Sequence, residues 1–213
     1  MALVRQVVAR LAPAALLALA LACGPAWGQG APAPADPAAA PAPLPDIARG
    51  SPGAAVTIVE YASLTCSHCA AFHQRVWPEL KAKYVDSGKV RFILREFPFD
   101  PLAAAGFLLG RCLGPDKRDA FLDTLFDDQE KWAFVDNPVE PLAALAEKAG
   151  MPRAAFNACL TDQRLYDQLK ATRAEAARRF AVDSTPTFLV GGQKLVGEVS
   201  LADFDKALAP LLK

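Results

Sequence analysis

Two cysteines separated by two residues, Cys66-Ser67-His68-Cys69, stand between an apolar, β-branched run and a helical pattern. The run, Ala55 to Tyr61, is bounded by Pro52-Gly53 and reads as a buried strand. The helix is expected from about Cys66 to Tyr84, kinked at Pro78. A second strand follows over Val90–Phe97 after Ser87-Gly88. Strand, helix and strand at this spacing form a βαβ unit with a right-handed crossover. The first cysteine then sits at a helix N-terminus, where unpaired N–H groups and the positive end of the helix dipole favour a thiolate. The second lies one turn further in, within disulfide reach and set back from solvent. His68 adds a positive or hydrogen-bonding neighbour that lowers the Cys66 pKa further. A pair of this kind makes a labile, oxidising disulfide, because its reduced form is the stabilised one.

The rest of the chain changes character twice. Residues 101–180 carry almost only helical signals: the apolar Ala103–Cys112, the spacing of Leu122, Leu125 and Phe126, and Leu142–Gly150 set off from Ala154–Leu160 by Met151-Pro152. A long final helix has Leu165, Leu169, Ala176 and Phe180 on its buried stripe. Strands return at Thr187–Val190 and Gln193–Val196, joined by the hairpin signal Gly191-Gly192. Ser200 and Asp203 then form a capping box for a last helix. The order is βαβ, a helical insertion, and ββα.

The N-terminal residues read as a processing segment. Arg5 and Arg10 precede an apolar stretch, Leu11–Ala22, that is shorter than a membrane span, and small residues follow. Residues 1–28 are therefore expected to be a signal peptide. Cleavage after Ala26-Trp27-Gly28 would free a soluble protein, whereas Ala20-Leu21-Ala22-Cys23 resembles a lipoprotein box that would anchor the chain through Cys23. Residues 29–50, rich in Pro and Ala, are expected to be an extended linker, with the folded domain at 51–213. The formal charge of zero and the pI near 6.7 provide no basic footprint for nucleic acid.

The Cys-x-x-C motif also allows a zinc site completed by His73, or a purely structural disulfide. His68 and His73 are the only histidines, so a fourth zinc ligand is lacking nearby, and His73 is expected simply to occupy a helix face. Cys112 and Cys159 lie on apolar helical stretches of the insertion, either as a structural disulfide or as two buried thiols.

The strand before Cys-x-His-Cys, the helical insertion and the Thr185-Pro186-Thr187 loop before a hairpin together resemble the DsbA family of thioredoxin-fold thiol:disulfide oxidoreductases of the bacterial periplasm, over about residues 50–213. The resemblance implies an α/β thioredoxin-like fold with an all-helical insertion. It implies Cys66 as the attacking or donating cysteine and Cys69 as its resolving partner. Pro186 would be the cis-proline facing the disulfide, and Glu60 the buried acid beneath the second cysteine. One departure is Ser67, a position held by Pro in the best-known members. Pro186 cannot donate to a sheet, which leaves the Thr185 backbone free to pair with an extended substrate segment. Glu60 shares a strand face with Val56 and Ile58, suiting proton exchange with Cys69.

The expected protein is an exported, periplasmic oxidase of reduced secreted proteins, monomeric, needing no bound cofactor or metal. A membrane oxidase of the DsbB kind is its implied reoxidising partner. A reductase or isomerase of the same fold is the nearer alternative. A secreted binding or chaperone module held by structural disulfides is the more distant one.

Overall fold

The computed structural model describes residues 41–213. The expected signal peptide, both cleavage sites, Cys23 and residues 29–40 of the linker lie outside the described residues. Among the described residues no helix is long and apolar enough to cross a membrane.

Strands β1 (Ile47–Arg49), β2 (Val56–Ala62), β3 (Val90–Glu96), β4 (Thr187–Val190) and β5 (Gln193–Val196) make one mixed sheet in the order β1-β3-β2-β4-β5. Strands β2 and β3 run parallel and the other pairs antiparallel. The parallel pair is closed by a helical crossover, as parallel strands require. That crossover comprises α1 (Ser67–Arg75), α2 (Trp77–Leu80) and a π-helical turn over Lys81–Val85. The helix expected over residues 66–84 is thus interrupted at Val76, and Pro78 falls in the first turn of α2, where its missing N–H costs nothing.

The position of β1 corrects the expected linker. Ile47 is fully buried, pairs with Leu94, and is preceded by Leu44 packed on the same core. The backbone N–H of Leu44 donates to Thr172 Oγ1 at 2.8 Å. The folded domain begins near residue 44, because a three-residue edge strand draws its stability from the ladder and not from its own pattern.

The two faces of the sheet carry different covers. Phe92, Phe188, Phe72, Trp77 and Phe204 pack as a cluster between one face and helices α1, α2 and the C-terminal helix, with Phe72–Phe188 and Trp77–Phe92 ring centres 4.7 and 4.3 Å apart. Tyr61, Phe97, Ala176 and Val182 fill the other face. Alternation along β2 sends Ile58 and Glu60 to the first side and Tyr61 to the second.

The insertion consists of α3 (Pro101–Leu113), α4 (Pro115–Asp127), α5 (Gln129–Trp132), α6 (Val139–Lys148), α7 (Arg153–Leu160) and α8 (Gln163–Phe180). Helix α3 approaches the loop before Cys66 so closely that a Cβ at Gly106 would lie 2.7 Å from Leu64. Cys112 on α3 and Cys159 on α7 are joined by a disulfide. Beside it, buried Glu96 accepts from Arg111 Nε at 2.5 Å. The hairpin turn has positive φ at both glycines, 52° and 87°, the backbone that a two-residue primed turn demands. Ser200 and Asp203 form the reciprocal capping box of α9 (Leu201–Leu208).

Candidate active site

Cys66 occupies the N-cap of α1 in an extended conformation, and Cys69 lies one turn inside with no exposed surface. Both thiols are free. The bend that delivers them from β2 is held from the insertion. Buried Gln129 of α5 donates from Nε2 to the carbonyls of Leu64 and Cys66, at 2.8 and 3.0 Å. The Thr65 hydroxyl donates to Asp100, whose other oxygen caps α3 by accepting from the Ala103 N–H at 2.8 Å. The helical block therefore fixes the strand-to-helix turn from outside the sheet.

From the opposite side comes the segment before β4. The Thr185–Pro186 bond is cis, and the Pro186 carbonyl accepts from the Gly197 N–H at 2.9 Å, tying the loop to the end of β5. The Thr185 carbonyl lies 3.3 Å from Cys66 Sγ and accepts from the thiol. The Thr185 hydroxyl is buried beside them.

The two thiols are electrostatically unlike. Hydrogen bonding from the Cys69 thiol, the Thr185 side chain and the backbone N–H groups of Cys69 and His68 outweighs burial and lowers the Cys66 pKa to about 5. Burial first, then the Cys66 contact and the nearby Glu60 charge, push Cys69 well above the usual thiol range. His68 was expected to act on Cys66 through its ring. Its contribution is instead its backbone N–H, while the exposed ring turns away and pairs Nδ1 with Glu198 Oε1 at 2.8 Å.

This asymmetry has a pH signature. The Cys66 pKa is lower in the folded dithiol form than the ordinary 9 of an unfolded thiol. Its stabilisation is fully present above pH ~9 and is lost as pH falls through about 5. Cys69 stays protonated across that window, and the disulfide form does not titrate there through these sulfurs. Thiolate absorbance near 240 nm should titrate with a midpoint of about 5. The melting temperature of the dithiol form should rise relative to the disulfide form between pH 5 and 9. A midpoint near 8.5, that of a free thiol, would contradict this geometry.

Glu60 is completely buried beneath α1, and its Oε2 lies 2.9 Å from His73 Nε2. His73 is 4% exposed and is not simply a residue on a helix face. It faces inward because α1 presents Cys69 and His73, four residues apart, to the same side. Among the described residues no three metal-ligating side chains converge, and His73 Nε2 is directed at Glu60.

Two shallow clefts flank the cysteines. One, of about 230 Å³, is lined by His68, Ala71, Phe72, Val199 and Ser200. The other, of about 500 Å³, is bounded by Ser67, Gln74, Asp127, Glu130 and the exposed Phe134. Cys66, Cys69, His68, Glu60, Thr185 and Pro186 thus share one end of the sheet, while Cys112 and Cys159 lie apart in the insertion. Gln129, Glu198 and the buried setting of His73 had no sequence signal, since each depends on a partner distant along the chain. Chemically the arrangement offers one accessible, ionised sulfur and one shielded, protonated sulfur.

Comparisons with known proteins agree with this geometry. The thioredoxin family profile matches residues 44–209. A Rickettsia felis protein named as a protein-disulfide oxidoreductase is 32% identical over 76% of this chain and 60% of its own length. The chain thus spans about six-tenths of that relative. The crystal structure of Wolbachia pipientis α-DsbA1 superposes with a TM-score of 0.74 at 29% identity, covering 80% of this chain and 93% of that one. A structure titled protein-disulfide isomerase from Novosphingobium aromaticivorans gives a TM-score of 0.68 at 25% identity, covering 80% of this chain and all of the other.

Proposed function

Since the chain belongs to the thioredoxin family and is a DsbA-like member of it, we propose that it is an exported thiol:disulfide oxidoreductase that donates its Cys66–Cys69 disulfide to reduced secreted proteins. The observation that carries this reading is the unequal pair: Cys66 ionised at a helix N-terminus and Cys69 buried and protonated.

In the starting state the two sulfurs are bonded. A substrate thiolate attacks Cys66 Sγ, the Cys66–Cys69 bond breaks, and its electron pair leaves on Cys69, which takes a proton. A second substrate thiolate attacks the substrate sulfur of the mixed disulfide and expels Cys66 as a thiolate. The substrate is oxidised to a disulfide and the enzyme reduced to a dithiol. The last step runs forward because the departing Cys66 thiolate is held by the hydrogen bonds that lower its pKa. Cis-Pro186 and Thr185 form the wall against which the substrate lies, and the two clefts give an unfolded chain shallow apolar and polar footing. No cofactor enters the cycle.

Export into the periplasm rests on the leader pattern of residues 1–28, with Cys23 as an alternative lipid anchor. Reoxidation would fall to a membrane oxidase of the DsbB kind. An isomerase reading is favoured by the name of the Novosphingobium structure. It differs in direction, since an isomerase must rest as the dithiol to attack wrong disulfides. Mixing the oxidised protein with a reduced, unfolded secretory protein tests the proposal. One disulfide per enzyme should be transferred, and none from a Cys66→Ser variant. Absence of transfer by the unaltered protein would overturn it.

A further inference from the structure

The proposed cycle gives Cys69 a proton and takes it away again, yet Cys69 has no contact with solvent. Beneath it lies a buried pair linked within itself. Glu60 sits on β2 between Leu94 of β3 and Phe188 of β4, both apolar. His73, one turn past Cys69 on α1, holds Glu60 Oε2 at 2.9 Å and stacks flat on Phe126 of α4, with ring centres 3.9 Å apart. Trp77 packs at its side. The outer atoms of the pair, Glu60 Oε1 and His73 Nδ1, are buried and without hydrogen-bond partners among the described residues.

The charged neighbours define two ends. On one side the Glu60 charge acts on Cys69, whose own neighbour is Cys66. On the other, the His73 charge acts on Asp127, which follows Phe126 at the end of α4 and lines the larger cleft. Further out, Arg49 lies over Trp77 and is paired with Asp119 and Asp123. The buried pair thus connects the shielded sulfur with a carboxylate at the cleft wall, and each free outer atom is a place where a proton can enter or leave.

Building on the oxidoreductase reading, we infer that His73 is a positioning residue that acts through Glu60 to supply and withdraw the proton of Cys69. When the Cys66–Cys69 bond breaks, the electron pair on Cys69 Sγ accepts a proton from Glu60. His73 returns one to the carboxylate through Nε2, and Nδ1 is replenished from the Asp127 side of the cleft. On reoxidation the same proton runs outward: Cys69 gives it to Glu60 and becomes the thiolate that closes the disulfide.

Reoxidation of the dithiol form by oxidised glutathione separates the steps. Cys66 first forms a mixed disulfide and releases one glutathione, and Cys69 then closes the ring and releases the second. His73→Gln keeps an amide able to donate to Glu60 but cannot exchange a proton. Ring closure at pH 7 should slow about a hundredfold, at the lower edge of general acid–base effects, and its pH profile should flatten. The first step and the Cys66 thiolate titration should stay unchanged. Ring closure at the unaltered rate, or equal slowing of both steps, would overturn the inference. Failure of the unaltered protein to perform even the first step would instead overturn the oxidoreductase reading. Should the variant not fold, solvent deuterium isotope effects on the two steps in the unaltered protein decide. Ring closure should show the larger effect, because a proton leaves Cys69 in that step, and equal effects on both steps would overturn the inference.

Discussion

Cys66→Ser should abolish disulfide transfer, lowering the rate by at least about a thousandfold, the scale of losing a nucleophile. The remaining thiol cannot substitute, because Cys69 is fully buried and held protonated at neutral pH. Cys69→Ser should fail differently. It also lacks a disulfide to donate, but its half-buried Cys66 sulfur, toward which the new serine hydroxyl can still donate, attacks small disulfides, and the resulting mixed disulfide persists because the resolving thiol is gone. Mass spectrometry after incubation with oxidised glutathione reads the contrast directly. One glutathione adduct is expected on Cys69→Ser and none on Cys66→Ser. Adducts on both variants at similar rates would mean that the two sulfurs are equally accessible. That would remove the basis for assigning them different roles.

Removing the Cys112–Cys159 disulfide should cost stability without touching this chemistry. The bridge closes a loop with a sequence separation of 47, worth ~4 kcal/mol on the chain-entropy model. It ties α3, which presses Gly106 against Leu64 before the active-site bend, to α7. For a domain of this size the melting temperature of Cys112→Ala/Cys159→Ala should fall by roughly 10 °C. Denaturant unfolding of that variant, with Cys66 and Cys69 in the same redox state as in the reference, measures the loss. An unchanged midpoint would show that the insertion is held by packing alone. The Cys66 thiolate midpoint should not move in the folded variant, since neither insertion cysteine is among its hydrogen-bond partners.

Local patterns reveal most of the architecture and the reactive pair. The β-branched run before Cys66, the helical periodicities of residues 101–180, the paired glycines and the Ser200–Asp203 box are each encoded within a few neighbouring residues. Glu60 is legible in part, since its strand-face alternation points it inward. What stays hidden depends on contacts between distant segments. Ile47 and Leu44 belong to the core, yet their surroundings are Pro-rich and only pairing with β3 makes a strand of Ile47–Arg49. His73 looks like any helix-face histidine until Glu60 on β2 and Phe126 on α4 close around it. Gln129 reaches the Cys66 carbonyl across 63 positions of sequence. His68 misled for a related reason: a ring beside the sulfur in sequence found a better partner in Glu198, 130 positions away.

The reduction potential of the Cys66–Cys69 couple, measured by equilibration with glutathione redox buffers, tests the oxidising assignment most directly. The stabilised Cys66 thiolate predicts a value between about −180 and −120 mV, the range of strongly oxidising pairs. A value near about −270 mV, where thioredoxin-like reductants lie, would contradict it and make the protein a reductant.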